Sequence, residues 1–112
     1  MDRELSGTVT FTLWLIKTTL PISWREFEVT SFSQSLIEQG ASCIQHYEVT
    51  STYSWEDSVT SVREWAVEIK VSNSNKSGIL AALEKSHPYD VPQILVSHCE
   101  TVQGYGEWIN SH

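Results

Sequence analysis

The groups able to do chemistry in this 112-residue chain are two thiols, Cys43 and Cys99, four imidazoles, His46, His87, His98 and His112, and a surplus of carboxylates. A metal centre needs several N, S or O donors converging on one point, and thiolate with imidazole would suit copper or zinc. No such set is local in the sequence. The cysteines have no CxxC or zinc-ribbon spacing. His98 and Cys99 are neighbours in a strand-like stretch and so point to opposite faces, as do Cys43 and His46 unless the chain bends between them. Ligands for one ion would have to come from different strands or subunits. No Ser-His-Asp or Cys-His order, glycine-rich phosphate loop or divergent carboxylate pair can be justified either, so no enzyme activity is expected. The competing enzymatic reading, with His87 as acid or base, requires a bell-shaped pH profile that His87→Ala abolishes.

Composition narrows the partners. Fourteen acidic residues against seven basic ones give a net charge of -7, the wrong sign for binding phosphates, so no nucleic-acid partner is expected. Beyond Lys85 the chain carries Asp90, Glu100 and Glu107 but no Lys or Arg, which excludes a polybasic membrane arm there. The start Met-Asp-Arg-Glu-Leu-Ser-Gly lacks the pattern of a signal peptide, and the longest apolar run, Leu13 to Ile16, ends at Lys17. Neither secretion nor membrane spanning is expected, and the cysteine usage predicts reduced thiols in the cytoplasm. With 40% hydrophobic residues, residues 1–112 read as one domain with a modest core that needs no staple, residues 1–7 being a flexible N-terminus.

The elements that must position these groups follow from periodicity. Residues 8–17 alternate, Val9, Phe11, Leu13 and Leu15 one way and Thr10, Thr12, Trp14 and Ile16 the other, which predicts a strand. Apolar residues on both faces make it central. After Pro21, Ser23-Trp24-Arg25-Glu26 offers a capping box for a helix whose Val29, Phe32, Leu36 and Ile37 form one stripe, with Gly40 as its stop. Ala41 to Trp55 reads as a long strand, bent or bulged between His46 and Thr50, followed by a turn at Asp57-Ser58. Over 61–72, Trp65, Val67, Ile69 and Val71 alternate with Glu64, Ala66, Glu68 and Lys70, the hairpin partner of the preceding strand. Ser72-Asn73-Ser74-Asn75 supplies caps for a helix carrying Ile79, Leu80 and Leu83 that ends before Pro88. A strand from Gln93 to Thr101 follows, and Tyr105, Trp108 and Ile109 predict a short helix within 104–112.

The order β-α-β-β-α-β plus a short C-terminal helix is the α+β, ferredoxin-like split βαβ plan, with both long helices on one face of an antiparallel sheet ordered 4-1-3-2. Strands two and four are then opposite edges, so a Cys43 to Cys99 disulfide is not expected. The other face, expected to carry Trp14, Ile16 and parts of the second strand, is more apolar than a monomer leaves in water. The long second strand, overshooting its hairpin partner, leaves unpaired edge groups, and both features predict an oligomer. Trp14, Trp24, Trp55, Trp65 and Trp108 read mainly as packing and interface residues.

Five segments carry a resemblance to a known family: Gly40-Ala41-Ser42-Cys43, Tyr53-Ser54-Trp55-Glu56, Lys70 near the end of the third strand, His87-Pro88-Tyr89-Asp90-Val91-Pro92, and Tyr105-Gly106-Glu107-Trp108. In order and spacing the chain resembles the CutA (CutA1) divalent-cation tolerance proteins, the His-Pro-Tyr-Asp-Val-Pro segment being the most specific element. The resemblance implies a tight homotrimer similar to the PII signalling proteins, sheets inward, helices outward, with clefts between subunits and a role in metal tolerance. A divalent cation, copper or zinc, is implied but not as an obligatory cofactor. Departures are Tyr47-Glu48 where the family usually has Pro-Gly, Asp57 where it has Gly, and Thr18 where some members carry a second cysteine tied to copper.

The same resemblance suggests Cys43 and Glu64 as metal ligands, and His87, of the residue type that most often ligates metals, joins them as a metal or ligand contact at the cleft. Lys70, Trp55 and Glu56 are read as bordering an inter-subunit pocket for an anionic or small organic ligand, with Tyr89, Tyr105 and Trp108 assigned to the same cleft. Each has a plainer reading beside it. Cys43 also fits as a small buried hydrophobe, and His87 as a helix-terminal residue that complements the dipole. Tyr89 fits as a turn residue packed on the core. Lys70 with Glu64 and Glu68 fits as an ion-pair network on one strand face, since an unpaired buried charge is expensive. For function the competing reading is a PII-like signalling or scaffold module with incidental metal binding.

Overall fold

The computed structural model describes residues 11–112; the expected flexible N-terminus and the first residues of the first strand lie outside them. The elements run β1 (Phe11–Pro21), α1 (Glu26–Glu38), β2 (Cys43–Trp55), β3 (Ser58–Val71), α2 (Lys76–Ser86), β4 (Ile94–Thr101) and α3 (Gln103–Ser111). The four strands form one antiparallel sheet in the order β2-β3-β1-β4. This is the split βαβ plan, with β1 central as expected. No helix among the described residues is long and apolar enough to cross a membrane.

The core forms where α1 and α2 meet one face of this sheet. Ile16 and Leu20 of β1 and Val67, Ile69 and Val71 of β3 pack with Val29 and Leu36 of α1 and Ile79 and Leu83 of α2, all essentially inaccessible. The register pairs Ile16 with Ile69 and Trp14 with Val71, so Trp14 and Ile16 face the helices. Their expected place on the uncovered face is corrected by that pairing: β1 is apolar on both sides, and only its neighbour decides which side meets the helices. The opposite face carries Phe11, Leu13 and Leu15 with Cys43, Tyr47, Glu64, Glu68 and Lys70. Its Cys43 end is covered by α3, where Ile109 is fully buried and the Ser42 hydroxyl donates to the Ile109 carbonyl at 2.9 Å.

Several local expectations shift by a residue or two. Trp24 N–H donates to the Pro21 carbonyl at 3.0 Å, a turn that delays α1, so the cap is one-sided, the Arg25 N–H donating to the Glu28 carboxylate at 2.7 Å, in place of the expected reciprocal pair of Ser23 and Glu26. At the other end Gly40, with φ of 123°, closes the helix as expected: the Gly40 and Ala41 amides return to the Ile37 and Leu36 carbonyls at 3.1 and 3.0 Å. Asn75 sits at the start of α2 but caps nothing, its amide donating instead to the Gly40 carbonyl.

β2 carries no bulge. Its register with β3 is unbroken from Cys43↔Lys70 to Trp55↔Ser58, since continuous cross-strand pairing leaves no room for an extra residue. Nor does β2 overshoot β3; the two together overshoot β1, whose pairing with β3 ends at Pro21↔Glu64. The resulting arm stretches the molecule to 51 Å and its radius of gyration to 16.3 Å, against about 13 Å for a compact chain of this length. Glu56 and Asp57, one residue earlier than expected, form the turn at its tip, with φ of 49° and 65°, the two-residue geometry whose twist matches the strands. Neither is a glycine, and L-residues there are strained. Asp57→Gly is therefore expected to stabilise the fold by about 0.5–1 kcal/mol, read as a raised denaturation midpoint with an unchanged m-value.

Candidate functional site

The end of α2 builds a connected polar cluster. His87 follows the helix, and Pro88 prevents its continuation, so the chain crosses back toward β1 and β3. The buried Thr18 hydroxyl donates to the Gln93 carbonyl at 2.7 Å, which spends its only proton. It must accept from the His87 Nε2–H, 2.9 Å away. His87 Nδ1 in turn accepts the Tyr89 amide at 3.1 Å, so the imidazole is the neutral Nε2–H tautomer with both nitrogens engaged. Burial lowers its pKa, outweighing a backbone contact with Thr19 and the Glu64 carboxylate, which favour the charged ring.

Tyr89 extends the cluster, its ring 5.1 Å from that of His87 and its hydroxyl donating to Glu64 Oε2 at 2.7 Å. Burial and the adjacent carboxylate push the phenol well above its ordinary range. Beside this pair opens a cleft of about 730 Å³ walled by Pro21, Ile22, Tyr53, Trp55, Val62 and Val91, with Glu64, Tyr89 and Asp90 among its polar groups. It occupies the space that β1 leaves vacant alongside β3 when it turns away at Pro21.

A second group forms at the far end of the same face. Cys43 pairs with Lys70 across β2 and β3, and α3 brings the Tyr105 hydroxyl against the Cys43 thiol, where burial and the thiol raise the phenol pKa. The Tyr105 and Trp108 rings stack at 5.9 Å and Trp108 and His112 at 4.8 Å. Gly106 permits the approach of α3, because a Cβ there would collide with Phe11.

Of the residues singled out in the sequence, Glu64, His87, Tyr89 and Trp55 come together, and Cys43, Lys70, Tyr105 and Trp108 come together. Glu56 is at the tip of the arm. Glu64 is paired with Val49 and Cys43 with Lys70, six residues apart along the strands or roughly 20 Å, so Cys43 and Glu64 of one protomer cannot share an ion. No group of three His, Cys, Asp or Glu residues able to hold a metal occurs among the described residues. Within one protomer the donors of the described residues do not fit a resident cation.

Within the protomer the charged face also differs from an ion-pair network. Glu64 accepts from Tyr89, Glu68 from Tyr47 at 2.7 Å, and Lys70 donates to Gln45, each a neutral partner. Tyr47 is pushed up in pKa by its bond to Glu68. Among the described residues Arg63 pairs with Glu48 and His46 hydrogen-bonds Glu26 at 2.7 Å, both away from Lys70. Thr18 is the functional position that residue types alone left unassigned beyond its departure from the family; its signal is a small polar residue within an apolar central strand.

Two outcomes follow from this geometry. Because folding lowers the His87 pKa, the unfolded chain binds the proton more readily, so this contribution to stability is intact above about pH 6.5 and is lost as pH falls below it. Denaturation midpoints at pH 7.5 and 5.5 should differ less in His87→Gln than in the unaltered chain. Gly106→Ala should cost about 1–3 kcal/mol through overpacking against Phe11 and speed labelling of Cys43 by a thiol reagent, with Cys99 as the internal reference.

Comparison with known proteins agrees with this architecture. A probable divalent-cation tolerance protein cutA homolog of Encephalitozoon cuniculi is 37% identical over 73 residues, which span 63% of this chain and 63% of that relative. The solved CutA of Synechococcus elongatus superposes with a TM-score of 0.82 at 25% identity, covering 93% of this chain and 92% of its own. A PII-like protein CutA of Nostoc sp. shares the fold at a TM-score of 0.72, with 24% identity and coverage of 86% and 92%. The model of the CutA1 divalent ion tolerance protein family matches residues 16–112, and with the fold and the placed motifs this means that the chain belongs to that family.

Proposed function

We propose that this chain acts in the cytoplasm as a homotrimer in divalent-metal tolerance, taking up copper, zinc or a small ligand in clefts between protomers. The observation that carries this reading is the division of the candidate residues into two groups at opposite ends of one sheet face. A cleft that uses both must be built from two copies, the Cys43, Lys70, Tyr105 and Trp108 end of one against the Glu64, Tyr89 and Trp55 end of the next. The unpaired edges of the β2–β3 arm and the exposed Tyr47, Leu95 and Trp55, the last 65% accessible, supply surface for such an assembly. Thiolate and carboxylate from different protomers would meet the preference of copper or zinc. No catalytic step belongs to this reading, since His87 spends both ring nitrogens on structure.

The similarity to a protein described as PII-like supports a second reading, a signalling or scaffold module in which metal association is incidental. Ligand-induced ordering of the arm tip at Glu56–Asp57, without loss when Cys43 is replaced, would favour it.

Native mass spectrometry of the reduced protein, purified without a metal-affinity tag, tests the first reading. A trimer of three 12.7 kDa chains has a mass of 38.1 kDa and should resist dilution, taking up one copper or zinc per symmetry-related site, with weaker uptake in Cys43→Ser. A stable monomer overturns it, and unchanged metal affinity in a folded Cys43→Ser removes the thiol from the site.

A further inference from the structure

The charges of the uncovered sheet face fall into two unmatched halves. Lys17 stands directly opposite Glu68 across β1 and β3, a cross-strand pair of opposite sign, and Arg63, which also lines the cleft beside Tyr89, is taken by Glu48. Lys70 and Glu64 have no such match. Among the described residues Lys70 donates to the neutral Gln45 and Glu64 accepts from the neutral Tyr89, and neither has a partner of opposite charge. Six residues of one strand, roughly 20 Å, keep the two from meeting within a protomer. Each is framed by accessible rings, Tyr105 and Trp108 at the Lys70 end and Tyr53 and Trp55 at the Glu64 end. A second copy laid head to tail on the first gives both charges their opposite, and in a closed ring every copy uses each end once.

We propose that an ion pair between Lys70 of one protomer and Glu64 of the next sets the register in which the copies assemble. The inference rests on the reading of the chain as a homotrimer with composite clefts, and names the contact that fixes how the copies meet. Closing the two aromatic ends over these groups takes both out of water, where one charge alone is costly and the pair is tolerated. The contact therefore acts mainly by excluding wrong pairings, like end against like end, rather than by adding affinity. It also brings the Cys43 thiol, across the strands from Lys70, to the same carboxylate.

Subunit mixing tests this contact. The ¹⁵N-labelled double variant Lys70→Glu/Glu64→Lys, refolded together with the unlabelled parent and weighed by native mass spectrometry, should sort into parent-only and variant-only trimers, because every mixed interface sets like charges together. Labelled parent refolded with unlabelled parent should give the binomial mixture, which shows that chains exchange. Lys70→Glu alone, which keeps the bond between Tyr89 and Glu64, decides the matter if the double variant fails to fold. Followed by sedimentation, its trimer should dissociate at about tenfold higher concentration than the parent's, and the gap should narrow in 1 M salt, where screening acts within roughly 3 Å. Binomial mixing of the double variant with the parent, or a Lys70→Glu trimer that matches the parent's or differs from it by a gap that salt leaves unchanged, overturns the proposal while the homotrimer stands. A monomeric parent in the same spectra overturns the homotrimer and this contact with it.

Discussion

The antiparallel pairing of β1 with β3 is the constraint on which the rest of this structure depends. Setting Ile16 opposite Ile69 and Thr18 opposite Val67 directs one set of branched side chains toward α1 and α2, and a slip of one residue would turn that whole set to the other face. The same register stops at Pro21↔Glu64. Beyond it β3 and β2 continue alone, so the pairing that makes the core also creates the arm and the space beside Glu64.

That space is held by hydrogen bonds between groups distant in sequence. Thr18 in the middle of β1, His87 after α2, Gln93 before β4 and Tyr89 against Glu64 tie three strands and a helix end together. Each buried donor has a defined acceptor, which makes the arrangement rigid, since a missing partner would leave a polar group without compensation. The carboxylates of the uncovered face are likewise held by tyrosine hydroxyls. Neutral donors satisfy Glu64 and Glu68 without the desolvation of a second charge, and the phenols shift upward in pKa, Tyr89 first through burial and then its bond to Glu64, Tyr47 first through its bond to Glu68.

Much of this was legible from residue types. The strict alternation from Glu64 to Val71 placed β3 and both of its faces correctly, the Val29 and Leu36 stripe placed α1, and Gly40 marked its end. Other features were not. The bulge read between His46 and Thr50 is absent because polar and apolar residues there alternate loosely, and pairing with β3 imposes the regularity that β2 lacks on its own. The capping residues moved from Ser23 to Arg25 because the turn at Pro21 uses up the intervening backbone. Among the site residues, the His-Pro-Tyr-Asp segment stood out as a motif, yet nothing in it indicated that Tyr89 reaches Glu64 or that His87 spends its nitrogens on Thr18 and the Tyr89 amide.

By itself the sequence determined the order of elements, the split βαβ plan and the family, because periodicity, breakers and motif spacing are local properties that survive without a partner. Tertiary structure decided which side of β1 is inside, which candidate residues share a site and which are separated by the length of the sheet. Alternation encodes that neighbours point opposite ways but not which way is inward; that choice belongs to the cross-strand partner. The Thr18 to His87 and Glu64 to Tyr89 contacts exist only after β1, β3 and the end of α2 have been brought together, so the chemistry of the cleft is a product of strand register rather than of any segment of the chain.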